Sequence, residues 1–236
     1  PASLIRAVLE KAPEKKDLAR GLFARIEEEW QCPFEVFNDG DVTALAGAIA
    51  MKRTGILGMA MGSSEAVGYI NPKGALTGRI NELAFAPVDL NPNAPKDEWS
   101  GDAGVGAMYF SQQAVDHLAR LFGFKFPKSM KLPERLKVVQ EAMEKHDEKA
   151  LRVYLMIGRY LANAAAWYRE FYDYSNLMVL GRVTSGFGGE VILNTAKMEL
   201  EAVDPYLAEQ IDIFMPDEKT RRLGQSVAAA QIPVVA

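Results

Sequence analysis

Cysteine is almost missing from these 236 residues, and the single one, Cys32, excludes an internal disulfide framework and suits a reducing compartment. Beside Pro33 it reads as a small buried hydrophobe. Histidine is nearly as scarce, with only His117 and His146. No apolar run approaches the roughly 18 residues of a membrane span, and no secretory leader is visible. Neither sign of charge dominates, since 27 Lys and Arg against 31 Asp and Glu leave a net charge of −4. A dedicated nucleic-acid binder usually carries a basic face, so neither membrane nor nucleic acid is expected as a partner of this segment. Internal repeats and low-complexity tracts are also lacking. The first residue is Pro1 rather than methionine, and a missing N-terminal segment or lobe is expected ahead of it. These absences leave a cytoplasmic globular chain as the expectation.

What is present fits that class. Hydrophobic residues at 49% and charged residues at 25% are globular averages, and the length suits one large domain or two small ones. Helical periodicity runs through 2–11 and 16–30, where Leu18, Leu22, Phe23, Ile26 and Trp30 mark one face. Pro33 ends that stretch, and 34–38 reads as a short buried strand. Asp41 is the expected N-cap of a helix over 42–52 whose Val42, Leu45, Ala46 and Ile49 face one way. Residues 54–62 then read as a strand buried on both faces. Glu65–Asn71 follows as a second strand, with Asn71-Pro72-Lys73-Gly74 as a turn between β segments.

The loop 87–103 is long, exposed in character and of a length that is often functional. Beyond it the chain reads as mostly helical to Tyr174, with breaks at Phe126-Pro127 and Leu132-Pro133. The longest helix is read over 151–172, with small residues that would let it approach a sheet. A strand over 176–180, a glycine-rich helix start at Gly186, Gly188 and Gly189, a strand in 210–215 and a last helix over 218–230 complete the pattern. Helices and strands alternate, so the class is α/β with a mixed sheet.

The stretch 35–62 carries the chemistry. An apolar run ends in Asn38-Asp39-Gly40, a helix follows, and a second apolar run ends in Gly62-Ser63-Ser64. A carboxylate at one strand end facing backbone N–H groups and hydroxyls at the next is minimal equipment for moving a phosphoryl group onto a hydroxyl. The competing reading of Asn-Asp-Gly-Asp is an ordinary turn with a capping Asp. Likewise, Gly62-Ser63-Ser64 reads equally as a tight turn between two strands. A glycine after a strand, as at Gly181, is common in any α/β protein.

The order of these features resembles the ROK sugar kinases, members of the actin-like ATPase group with its ribonuclease H-like lobes. The resemblance rests on Asn38-Asp39 before a helix, the strand into Gly62-Ser63-Ser64, and the hairpin leading to Asn81-Glu82-Leu83-Ala84-Phe85. It continues through Leu177-Met178-Val179-Leu180-Gly181 before a glycine-rich helix start, and Leu223-Gly224-Gln225-Ser226-Val227-Ala228-Ala229 near the end. It implies ATP with Mg²⁺ as cofactors and a sugar-like hydroxyl as acceptor. Asp39 would be the general base, Asn38 and Glu82 would hold the acceptor, Gly62, Ser63 and Ser64 would bind phosphate, and Gly181 and Arg182 would contact adenosine. It also implies a homodimer, with residues 1–52 as the end of a first lobe and 53–236 as the second lobe.

The same resemblance marks departures. No Asp-x-Gly-Gly-Thr loop of the first lobe is present. Phe85 and Ala84 stand where the family has His and Gly, and a second sugar-binding glutamate is replaced near Tyr109. The cysteine-rich zinc loop corresponds to 99–106 without a cysteine, so no structural zinc is expected. Two alternatives follow from these losses: a non-catalytic ligand-binding, regulatory or structural relative, and an actin-like ATPase without a sugar substrate.

Overall fold

The computed structural model describes residues 12–31, 37–98 and 100–217. The segments around Cys32, most of the strand expected over 34–38, Trp99, and the helices expected over 2–11 and 218–230 lie outside the described residues. The chain divides into two compact units, residues 1–37 with 229–236 and residues 38–228.

In the first unit the expected helix over 16–30 is interrupted at Gly21, giving α1 (Lys16–Arg20) and α2 (Leu22–Trp30). Gly21 accepts the chain's exit from α1 and its carbonyl then takes the Arg25 N–H at 3.0 Å, starting α2. Neither helix holds a buried residue, and Leu18 and Trp30, read as part of one face, are exposed.

Among the described residues, the second unit is built on a four-stranded mixed sheet. β1 (Ile56–Met61) and β2 (Glu65–Ile70) form an antiparallel hairpin, and β3 (Asn176–Leu180) lies parallel to β1 on its other side. β4 (Asp212–Phe214) extends the sheet beyond β3, giving the order β2-β1-β3-β4. β1 is buried almost throughout because both faces are covered, as its lack of alternation predicts. The expected turn at Asn71–Gly74 is present, closed by the Gly74 N–H on the Asn71 carbonyl, and the Asn71 side chain accepts from Lys73 and Ala75. The β segment beyond it shrinks to one bridge between Ile70 and Leu76.

One face of the sheet carries α3 (Asp39–Met51). Its N-cap is Asn38, whose Oδ1 accepts the Gly40 N–H at 2.8 Å, so Asp41 lies inside the first turn and is not the expected cap. Two short polar residues compete for the same role, and the earlier one wins because the helix starts sooner. The surface turned to the sheet is also not the expected one. Gly40 approaches Gly68, Ala44 approaches Gly58, and Gly47 faces Met178. Gly68, Gly58 and Met178 are register partners in three adjacent strands. From 40 to 47 a helix rises about 10 Å, which matches two strand spacings. The axis of α3 therefore runs across the strands, with a small residue over each. Of the expected face, Val42 and Ile49 fall on the opposite side and are only half-buried, while Leu45 packs at the margin of the core beneath α3 and Ala46 is buried.

The other face packs against helices from the middle of the chain: α4 (Gln112–Leu121), α5 (Leu132–Glu144), α6 (Glu148–Arg169) and α7 (Phe187–Val203), with the short α8 (Pro205–Ala208) following. Leu57, Met59, Met61, Val67, Leu177, Val179 and Ile213 enter this larger core. Leu132-Pro133 does not break a helix here; it begins α5, where a proline near the first position loses no hydrogen bond. α6 and α7 approach closely at Gly158, where a Cβ would stand 2.6 Å from the Thr195 side chain.

Candidate functional site

Asp39 and Asn38 sit at the start of α3 with exposed side chains. The Asp39 carboxylate accepts the Gly40 N–H through Oδ1 at 3.0 Å, and its carbonyl takes the Thr43 hydroxyl at 2.8 Å. Acidic residues in a helix's first turn are favoured by the orphan N–H groups and the macrodipole, which explains Asp39 and Asp41 together. Asn38 spends Oδ1 on its capping bond.

Asp41 has a role that the sequence did not disclose. Its Oδ1 accepts the Asn81 side-chain N–H at 2.9 Å and the Tyr69 backbone N–H at 3.4 Å. Burial raises the pKa of this half-buried carboxyl, opposed by those two hydrogen bonds. The bond to Asn81 sets the turn that carries Asp39 beside the turn that carries Glu82. Glu82 is exposed and precedes the 3-10 turn Leu83–Phe85. Phe85 is half-buried, and no imidazole stands in its place. Only the adjacency of Asn81 to Glu82 hinted at this tie.

Gly62 closes the β1–β2 hairpin. Its N–H donates to the Ser64 carbonyl at 2.9 Å, and its carbonyl accepts the Gln112 N–H at 2.9 Å. The Gly62 N–H is thus spent within the hairpin and is not free for phosphate, which leaves the exposed Ser63 and Ser64 as the polar tip. Gln112, at the start of α4, is buried with its Oε1 unpartnered. Glu65 does not turn into this loop; it is buried on the opposite side of β2 among the larger core.

Gly181 lies beside the Gly62 hairpin because β1 and β3 are parallel and end together. Its φ of 111° is a glycine conformation, and a Cβ would stand 2.5 Å from the Met61 carbonyl oxygen. That same carbonyl accepts the Val183 N–H at 3.2 Å. Arg182 is exposed, with its carbonyl held by the Gln140 side chain at 2.9 Å. The helix start expected at Gly186 to Gly189 is α7, where Glu144 of α5 accepts the Phe187 N–H at 3.4 Å and Gly188 lies against the Tyr154 ring. The carboxyl ends of adjacent parallel strands are where α/β folds place ligands.

The loop 87–105 is tied down by carboxylates. Asp97 is buried and accepts the Ser100 N–H at 2.6 Å and the Gln113 amide at 2.9 Å. Asp89 accepts the Tyr109 hydroxyl at 2.5 Å, and Tyr109 packs edge-on against Tyr160. Burial and then the Asp89 bond push the Tyr109 pKa upward. Tyr109→Phe removes one brace of this loop and is expected to cost about 1–3 kcal/mol in urea unfolding, because the Asp89 carboxylate loses its donor. An unchanged midpoint would show that the brace carries no load.

Among the described residues no group of three or more His, Cys, Asp and Glu is placed to hold a metal ion. His117 is exposed. His146 is also exposed and lies between α5 and α6 with φ 58°, its ring edge-on to Phe187. No described helix is long and apolar enough to cross a membrane.

No family model matches the chain, and no curated protein matches it by sequence. Solved structures do share its fold. A ROK family glucokinase from Streptomyces griseus, in complex with glucose and AMPPNP, matches with a TM-score of 0.68 and 18% identity, over 89% of this chain and 72% of that one. A ROK hexokinase from Thermus thermophilus matches with 0.64 and 17%, over 87% and 68%. A ROK family transcriptional regulator, a homolog of the E. coli MLC protein, matches with 0.67 and 16%, over 89% and 55%. The chain therefore has the ROK-type fold, a mixed sheet flanked by helices, and spans 55–72% of the length of these three.

Proposed function

We propose that the protein is a ROK-like sugar kinase, transferring the γ-phosphoryl group of ATP to a hydroxyl of a sugar or sugar-like acceptor. The observation that carries this reading is the Asp41–Asn81 hydrogen bond, which sets the Asp39 turn against the Glu82 turn on a fold shared with sugar kinases. Asp39 is the general base for the acceptor hydroxyl, while Asn38, through its amide N–H, and Glu82 orient the acceptor. Ser63 and Ser64 donate to phosphate oxygens, and Gly181 and Arg182 receive the nucleoside. Mg²⁺ with its phosphates would neutralise charge at the transferred group. The exposed hydroxyls of Ser63 and Ser64 are hard oxygen ligands of the kind Mg²⁺ accepts beside water and phosphate, which would leave the Asp39 carboxylate free as base.

A second reading has its own support. The regulator matches as well as the kinases do, and Phe85 and Tyr109 replace family residues that contact sugar. In that case the protein binds a ligand without phosphorylating it. The proposal extends to a cytoplasmic homodimer in which residues 1–52 form the end of a first lobe.

Release of ADP from ATP and Mg²⁺, followed across a panel of hexoses, hexosamines and disaccharides, separates the readings. The kinase reading expects turnover only with an acceptor present. Sugar binding in calorimetry with no ADP release supports the ligand-binding reading. Hydrolysis that no sugar stimulates points to an ATPase and overturns both.

A further inference from the structure

Glu65 is the most anomalous side chain in the described residues. It is 4% exposed, and neither carboxyl oxygen has a hydrogen-bond partner. Its Oε2 lies so near Gly106 that a Cβ there would stand 2.1 Å away, and the same point is 2.4 Å from the Leu83 carbonyl. Glu65 is thus wedged between two 3-10 turns, Leu83–Phe85 and Gly106–Met108. From α6 the Tyr168 hydroxyl, itself buried and unpartnered, feels the charge of Glu65.

Apart from the Tyr168 hydroxyl, which makes no hydrogen bond to it, the surroundings give an anion here nothing to bind. The two 3-10 turns are Leu83-Ala84-Phe85 and Gly106-Ala107-Met108 and bring no ionisable group. β1 brings Met61 as the cross-strand partner. α6 brings Tyr168, and Tyr172 and Tyr174 lie beyond it. The cation Arg79 and the carboxylate Asp41 act on Tyr172 instead. Burial alone pushes Glu65 up to about 8. A protonated carboxyl, by contrast, has a proton to offer to a carbonyl or hydroxyl oxygen nearby.

We propose that Glu65 is a proton-operated latch: protonated, it lets the turns at 83–85 and 106–108 close over it, and on losing its proton it drives them apart to reach water. An isolated charge in apolar surroundings is costlier than opening two short turns, so local opening replaces ionisation in place. Leu83 follows Glu82 directly, so opening displaces the acceptor-binding turn. That last link rests on the proposed function; the latch does not.

Hydrogen exchange of the full protein between pH 6 and 9, corrected for the intrinsic pH dependence of exchange, tests the latch without any ligand. Peptides covering 81–87 and 104–110 are expected to lose protection roughly tenfold for each pH unit up to about 8 and to level off above it, while peptides from β1 and β3 stay unchanged. Glu65→Gln, which cannot ionise, should hold both turns closed across the range. Glu65→Leu provides the same test should the glutamine variant fail to fold. Equal loss of protection in wild type and variant, or none in wild type at pH 9, overturns the proposal. A latch without sugar-dependent turnover would leave the latch standing and remove only the kinase reading.

Discussion

Asp39→Asn is expected to lower phosphoryl transfer by about 10²–10⁴-fold while leaving the fold and acceptor affinity nearly intact. The carboxylate is exposed, and its recorded bond is to the next backbone N–H through Oδ1, which an asparagine can keep. The lost first-turn charge costs the helix about 0.3–1 kcal/mol, too little to unfold the unit. A base matters in the transition state, so kcat and kcat/KM should fall together with little change in KM. Asp41 is a poor substitute because its carboxylate is already held by Asn81 and Tyr69. Unaltered turnover in the variant would remove Asp39 from the catalytic role.

The second large effect concerns packing. Gly68→Ala places a Cβ 2.0 Å from the Gly40 carbonyl oxygen and 2.6 Å from the Asp41 Cα. Both are backbone atoms, so no rotamer change relieves the clash and α3 must lift from the sheet. The expected loss is about 3 kcal/mol or more, a large part of the 5–15 kcal/mol that holds a typical domain. Lifting α3 would also carry Asp39 away from Glu82. Gly62→Ala is the matched control: its Cβ meets only the Ser64 carbonyl, at 3.5 Å. A thermal melt should show a fall of roughly 6–12 °C for the first and almost none for the second. Similar melts for the two would refute the crossing geometry.

What the sequence revealed follows the range of each interaction. β1 and β3 were legible because an unbroken apolar run followed by glycine has few other solutions, and the Asn71 turn because its hydrogen bonds are local. The positions of the candidates Asp39, Gly62 and Gly181 were legible for the same reason, each being tied to a strand or helix end. Asp41 was misread as a cap since its true partner, Asn81, lies forty positions away. The sheet-facing side of α3 was misread because large apolar residues normally mark the buried face, and here glycine and alanine do. Glu65 was legible as the start of β2 but its burial was not, for nothing in Ser-Ser-Glu reveals which way a side chain leaves a strand.

The sheet order also sets a schedule for synthesis. α3, β1 and β2 are contiguous and can assemble as soon as they leave the ribosome. β1 must then wait with one edge open until β3 arrives, because residues 62–175 separate them. At common translation speeds that interval is roughly 6–20 s. During it, Ile-Leu-Gly-Met-Ala-Met offers an apolar strand edge with unpaired backbone groups, the kind of surface that recruits chaperones or other nascent chains. The transverse helix shields one face of that strand from the outset, so the period of risk belongs to its edge and to the face that α6 and α7 will later cover.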